Sequence, residues 1–144
     1  ALASLYRRSR AGFVKAGQER AAVEENVEKM QIKVSSIDQK ASTLSGGNQQ
    51  KVMLARWLMT QPRVLMIDEP TKGVDVGARM SVYRIIDQLT REGIAILMLT
   101  SDMMELIGLS DRVLVFYEGR ITGELKRGEA TEEKIMLAAS GMAG

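Results

Sequence analysis

The chain has no cysteine and no histidine. The first absence excludes a disulfide framework and any thiolate site. The second excludes His-based triads, His metal sites and a His-based pH switch. Aromatic residues make up only 4%. Tyr6 and Phe13 are the only rings near the basic start, so nothing there is interleaved for stacking on bases. The longest apolar run, Ile94 to Leu99, is six residues, against about 20 for a membrane helix. Arg7, Arg8 and Arg10 interrupt any apolar region a secretory leader would need. A link to a membrane is therefore expected to run through a partner. Also missing is a Gly-x-x-x-x-Gly-Lys-Ser/Thr loop to cradle phosphates. Gly12 to Gln18 and Gly119 to Lys126 contain glycine and lysine, but at other spacings.

What remains is an ordinary globular composition. The 144 residues are 45% apolar and 26% charged, enough for one domain with a real core. The net charge of +2 gives no global argument for nucleic acid. It is unevenly placed: residues 1–60 hold ten Lys/Arg against five Asp/Glu, and residues 61–144 hold ten against thirteen. Arg7, Arg8, Arg10, Lys15 and Arg20 could meet nucleic-acid or lipid phosphates. A solvated helical face, or a docking surface for a transmembrane subunit, is the simpler reading. The ten methionines are expected to fill the core, because no spacing suggests a metal tract. There is no initiator Met, and the chain ends on a loose Gly-Met-Ala-Gly tail, so it reads as a fragment.

Periodicity predicts alternating helices and strands. Gln18 to Met30 places Val23, Val27 and Met30 on one helical face. Ser35, Ser36 and Asp38 mark a turn or helix start. A helix from Ser45–Gly46 to about Met59 has Ser45 as N-cap. Val52, Ala55 and Met59 share its apolar face, flanked by Leu54, Trp57 and Leu58. Gln49, Gln50, Lys51 and Arg56 cover the rest, and Pro62 lies just beyond. Val64 to Ile67 and Ile94 to Leu99 are continuous apolar runs, as in parallel strands buried on both faces. Between them Asp75 caps a helix to about Arg91, with Val76, Met80, Tyr83, Ile86 and Leu89 stepping along it and Gly93 ending it. A short helix over Asp102 to Leu109, a hairpin of Arg112–Tyr117 and Arg120–Leu125, and a helix from Thr131 to Ala139 follow. The order implies an α/β fold.

Two segments carry chemistry. Asp68-Glu69 closes the first apolar strand, and ligands bind at the carboxyl ends of strands in open parallel sheets. Adjacent strand residues point to opposite sides. One acid can therefore hold Mg²⁺ through water while the other orients or deprotonates an attacking water. Taken alone, the pair is equally well read as two solvated or salt-bridged acids. In Ser45-Gly46-Gly47, glycines at a helix start allow close backbone approach, and free N–H groups there favour a phosphate. Taken alone, it is more simply a loop whose serine caps a helix.

Together and in this order they resemble a known family. Leu44-Ser45-Gly46-Gly47-Asn48-Gln49-Gln50-Lys51-Val52 resembles the signature motif of ABC ATPases, in a form similar to that of simple-sugar importers. Val64 to Pro70 resembles the Walker B strand with its catalytic glutamate. Thr71-Lys72-Gly73-Val74-Asp75 resembles the D-loop, and Leu109 to Arg120 follows the family pattern. The resemblance covers about residues 41–140. It implies a partial P-loop NTPase fold of the ABC ATPase type: a mostly parallel sheet flanked by helices, a piece of the helical signature subdomain (1–60), and an α/β core with a C-terminal hairpin and helix (61–144). The portion with the phosphate loop is expected to precede residue 1. The resemblance also implies Glu69 and Asp68 as catalytic residues, Asp68 as the Mg²⁺ site through water, and ATP as substrate. Ser45, Gly46, Gly47 and Gln49 would meet the ATP of a second ABC ATPase domain in trans. Asp75 would act in the D-loop. Ser101 occupies the position where the family usually has histidine, as in the second domain of tandem sugar importers; a loop serine capping the next helix is the plainer reading.

The expected whole is an importer subunit on the cytoplasmic face of the membrane, coupling ATP hydrolysis to uptake of a sugar or similar small polar solute. Its partners would be a second ATPase domain, permease subunits and, indirectly, a solute-binding protein. Nucleic acid is not expected. A soluble ABC ATPase acting on DNA or ribosomes is the rival reading, and a non-enzymatic binding fragment is a third. The chain alone is expected to be inactive and to self-associate through a strand left without its neighbour.

Overall fold

A computed structural model describes residues 9–10, 13–14 and 16–141. The side chains of Tyr6, Arg7, Arg8, Arg10, Phe13 and Lys15, on which the basic-face reading rests, lie outside what is described. Arg20 is inside it, and it ion-pairs with Glu24 at 3.2 Å and Asp38 at 3.7 Å. The chain forms two compact units, up to Met98 and from Leu99 onward.

In the first unit, strands β1 (Ser9–Arg10) and β2 (Phe13–Val14) pair antiparallel. Helix α1 (Ala16–Lys29) is built from good helix formers, chiefly Ala and Glu. It ends at Gln31, whose φ of 50° turns the chain out of the helix. The expected turn follows: Ser36 Oγ accepts from the Asp38 N–H at 3.2 Å, and a 3₁₀ turn spans Ala41–Thr43. Helix α2 runs Gly46–Leu58 and ends before Gln61 (φ 51°) and Pro62.

Strand β3 (Val64–Asp68), helix α3 (Val76–Arg91) and strand β4 (Ala95–Leu99) form the β-α-β unit, with β3 and β4 as neighbours. The Ala95 N–H donates to the Arg63 carbonyl at 3.0 Å. Both strands therefore begin at the same end and run parallel, as a helical crossover requires. Met30, Ile32, Leu54, Ala55, Leu65, Ile67, Val82, Ile85, Ile86 and Leu89 make the core. Leu54 and Leu89 are 1% exposed, so truncating either to Ala should cost about 2–5 kcal/mol.

The strands are not buried on both faces: Leu65 and Ile67 are covered, but Val64 is 59% and Met66 68% exposed. No second layer among the described residues covers that face. On α3 the core stripe is Val82, Ile85, Ile86 and Leu89, whereas Val76 is 80% and Met80 51% exposed. Each three-residue step falls about 60° short of a full turn, so the series Met80, Tyr83, Ile86, Leu89 drifts around the helix. Lys51, assigned to the polar face of α2, is buried. Trp57 is half exposed beneath the Arg56 guanidinium, 5.3 Å from its ring centroid. Met30 and Met59 do fill the core, but Met66, Met80, Met104 and Met136 are largely exposed.

The second unit holds α4 (Met103–Leu109), β5 (Arg112–Tyr117), β6 (Arg120–Lys126) and α5 (Glu132–Ala139). Strands β5 and β6 pair as the expected hairpin, with a bulge at Val115/Phe116. Its two-residue turn places Glu118 at φ 47° and Gly119 at φ 76°, the twist that suits a tight hairpin. Val113, Val115, Ile135 and Ala138 form its core. Thr131 caps α5 by accepting from the Lys134 N–H at 3.3 Å, and Gly141 at φ 74° ends it. Ser101 does not cap α4. Asp102 does, accepting from the Met104 and Glu105 N–H groups at 2.9 and 3.3 Å.

Candidate functional site

The start of α2 and the segment 71–78 come together in the first unit. Leu44 is buried and anchors the turn; Ser45 and Gly46 are exposed; Gly47 is buried. A β-carbon on Gly46 would sit 3.3 Å from the Gly73 carbonyl oxygen, and one on Gly47 would clash with the Ala78 methyl. The two glycines therefore have a packing reason: they let α2 lie against the segment that follows β3.

Ser45 is the N-cap residue by backbone (φ −62°, ψ 154°), but its hydroxyl makes no capping bond. It accepts instead from Asn48 Nδ2 at 3.0 Å. Asn48 Oδ1 in turn accepts from the Lys33 backbone N–H at 3.0 Å. Gln49 folds back, its Nε2 donating to the Leu44 carbonyl at 2.8 Å. The first turn of α2 thus keeps backbone N–H groups that no side chain caps, at the positive end of the helix dipole.

Lys33, Ser45, Asn48, Lys51, Gly77 and Ser81 line a cleft of about 260 Å³ beside this turn. Lys51 Nζ donates to the Gln31 carbonyl at 3.2 Å. Burial pushes its ammonium below the ordinary lysine pKa, and the nearby Lys33 charge adds to that. Lys51 carries no signal in a one-dimensional pattern, because its neighbours Gln49 and Gln50 look equally polar.

The acidic pair sits at the carboxyl end of β3. Asp68 is exposed on the same strand face as Val64 and Met66. Glu69 leaves the strand at φ 46°, the left-handed region, which costs a non-glycine residue about 1 kcal/mol or more. Its carbonyl accepts from the Lys72 N–H at 3.2 Å, starting the turn through buried Pro70 and Thr71. Glu69 therefore lies outside β3, where the alternation of strand residues no longer applies. Asp75 caps α3, accepting from the Ala78 N–H at 2.9 Å. Ser101 lies in the second unit, exposed between β4 and α4.

Among the described residues no group of three or more acidic side chains could hold a metal ion alone. Mg²⁺ keeps several waters and needs only one or two carboxylates beside substrate phosphates. Exposed Asp68 meets that modest requirement.

Residues 3–72 match the family model described as ABC transporter. The ribose import ATP-binding protein RbsA 2 of Streptomyces avermitilis is 53% identical over 134 residues, covering 93% of this chain and 26% of that protein. The ribose import ATP-binding protein RbsA of Oceanobacillus iheyensis is 49% identical over 140 residues, covering 97% of this chain and 28% of that protein. The chain thus spans about a quarter of the length of these curated relatives. Among solved structures, a nucleotide-free ATP-binding cassette from an ABC transporter superposes with a TM-score of 0.74 at 25% identity. That match covers 96% of this chain and 52% of the other. The ADP conformation of MJ1267, an ATP-binding cassette of an ABC transporter, gives 0.69 at 27% identity, covering the same two shares.

Proposed function

We propose that this chain, whose residues 3–72 match the ABC transporter family and which superposes on ATP-binding cassettes, contributes to two ATP sites in a sugar importer. The observation that carries this is the exposed start of α2. Ser45 and Gly46 face outward there on a first turn with no side-chain cap. That end offers donors to a phosphate held by a second ATPase domain.

On this reading Ser45 and the first-turn amides bind the partner's ATP, with Gln49 beside them. Asp68 holds Mg²⁺ through water in the other site. The ion, when bound, neutralises phosphate charge during transfer. Glu69 orients the attacking water and accepts its proton. Asp75 stiffens the segment between the two sites by capping α3. On the resemblance to tandem sugar importers, the site served by Asp68 and Glu69 is the weaker of the two.

Residues 1–60 act as part of the helical subdomain and 61–144 as part of the catalytic core. The whole protein works at the cytoplasmic face of a membrane beside permease subunits, importing ribose or a similar small polar solute. Relatives named for ribose import favour this over the nucleic-acid reading.

The test uses the full-length protein in its transporter. Ser45→Arg is expected to suppress Mg-ATP hydrolysis more than Glu69→Gln does. Abolition by Glu69→Gln with a mild effect of Ser45→Arg would reject the division of labour.

A further inference from the structure

The contacts of Asn48 suggest a role of their own. A backbone N–H can only donate, so the atom of Asn48 facing the Lys33 N–H at 3.0 Å must be the amide oxygen. The amide nitrogen is then the atom that reaches Ser45 Oγ at 3.0 Å. The orientation of this side chain is fixed by chemistry rather than by choice of flip. A serine hydroxyl has one proton and two acceptor positions. One acceptor position is filled by Asn48, so the proton must point elsewhere. Nor does the hydroxyl bond a first-turn N–H, as an N-cap serine ordinarily does.

We infer that Asn48 is a positioning residue that turns the Ser45 hydroxyl outward as a hydrogen-bond donor to the ATP of the second domain. This rests on the proposed role of Ser45. With Asn48 in place, the hydroxyl and the uncapped first-turn amides all offer protons. A group bearing only acceptors matches that surface. The segment Gln31–Lys33 is the strut. Asn48 holds it through the Lys33 N–H, and buried Lys51 holds it through the Gln31 carbonyl at 3.2 Å. Asn48 therefore cannot rotate without breaking its bond to the strut.

A double-mutant cycle in the intact transporter tests this, read as kcat/KM for Mg-ATP alongside the thermal unfolding midpoint. Ser45→Ala should lower kcat/KM about tenfold or more, the usual effect of losing a hydrogen bond to a charged group. Asn48→Ala should lower it about threefold or more, and add almost nothing in the Ser45→Ala background. Asn48→Asp keeps the acceptor for the Lys33 N–H and so keeps the midpoint. It loses the donor to Ser45, so its activity should fall at least as far as that of Asn48→Ala. The inference is overturned if Asn48→Ala costs the same factor with and without the Ser45 hydroxyl, or if Asn48→Asp retains full activity. Either result leaves the role of Ser45 standing. If Ser45→Ala itself has no effect, the inference and the reading beneath it fall together.

Discussion

Gly47 in α2 lies directly against Ala78 in α3: a β-carbon added to the glycine would overlap the alanine methyl and meet Val74 Cγ1 at 3.7 Å. Gly47→Ala should therefore destabilise the fold by about 1–3 kcal/mol, as overpacking does. Urea unfolding measures this. Adding Ala78→Gly should restore stability relative to Gly47→Ala alone, despite the roughly 1 kcal/mol that glycine costs inside a helix. Absence of any rescue would show that the contact is not the reason for the glycine.

Lys51 gives a pH dependence of definite sign. Its folded pKa lies below the ordinary 10.5, chiefly through burial and then through the Lys33 charge. The unfolded chain thus binds more protons between the folded value and 10.5, and stability rises with pH across that window. Lys51→Met should remove this rise and change stability at neutral pH by about 1 kcal/mol or less. Denaturation of both proteins between pH 7 and 10.5 makes the comparison. Parallel curves would rule out the assignment.

The ion pair of Lys29 with Glu92, at 2.8 Å, joins the end of α1 to the end of α3. The Lys29 bond, then one from Gln88, holds the Glu92 pKa below its ordinary 4.5. Its stabilising effect is present above 4.5 and is lost as the pH falls through the folded value. Both side chains are partly exposed, so solvent screening limits the pair to about 0.2–1 kcal/mol. Glu92→Gln should cost that much at pH 7 in low salt, and nothing in strong acid or 1 M salt. A loss that persists under both conditions would point to packing instead.

The open face of the β3–β4 pair predicts behaviour of the isolated chain. Val64 and Met66 present apolar surface there, and edge strands without partners invite pairing. The chain should associate at micromolar concentration, as seen by light scattering, and Met66→Lys should reduce the associated fraction without unfolding it. It should show no measurable Mg-ATP hydrolysis, since its sequence holds no phosphate-cradling loop. A monodisperse monomer, or hydrolysis that disappears with Glu69→Gln, would contradict these expectations respectively.

Much of the architecture was legible because local signals agreed. Asp75 and Thr131 cap their helices, Gly93 and Gly141 end them, and Glu118-Gly119 turns the hairpin. These are short-range effects written in adjacent residues. What was not legible depended on what packs against what. Apolar strands imply two covered faces only if two layers exist, and the run of Val64 to Ile67 cannot say how many do. The core stripe of α3 is set by the facing helix and sheet, so Val76 and Met80 looked equivalent to Ile86. At the candidate site the motif residues could be picked out, but their bonding could not. That the Ser45 hydroxyl accepts from Asn48 rather than capping its helix depends on Lys33, fifteen positions before Asn48.

The left-handed backbone of Glu69 sets two demands on one position against each other. A designer optimising only the fold would choose glycine there, since glycine adopts φ 46° without steric penalty. That exchange is expected to make the protein sturdier while deleting the carboxylate assigned to the attacking water. Screens that select variants of this protein by thermal resistance should therefore enrich glycine at position 69, and screens that select for the proposed ATP hydrolysis in the full-length protein should exclude it.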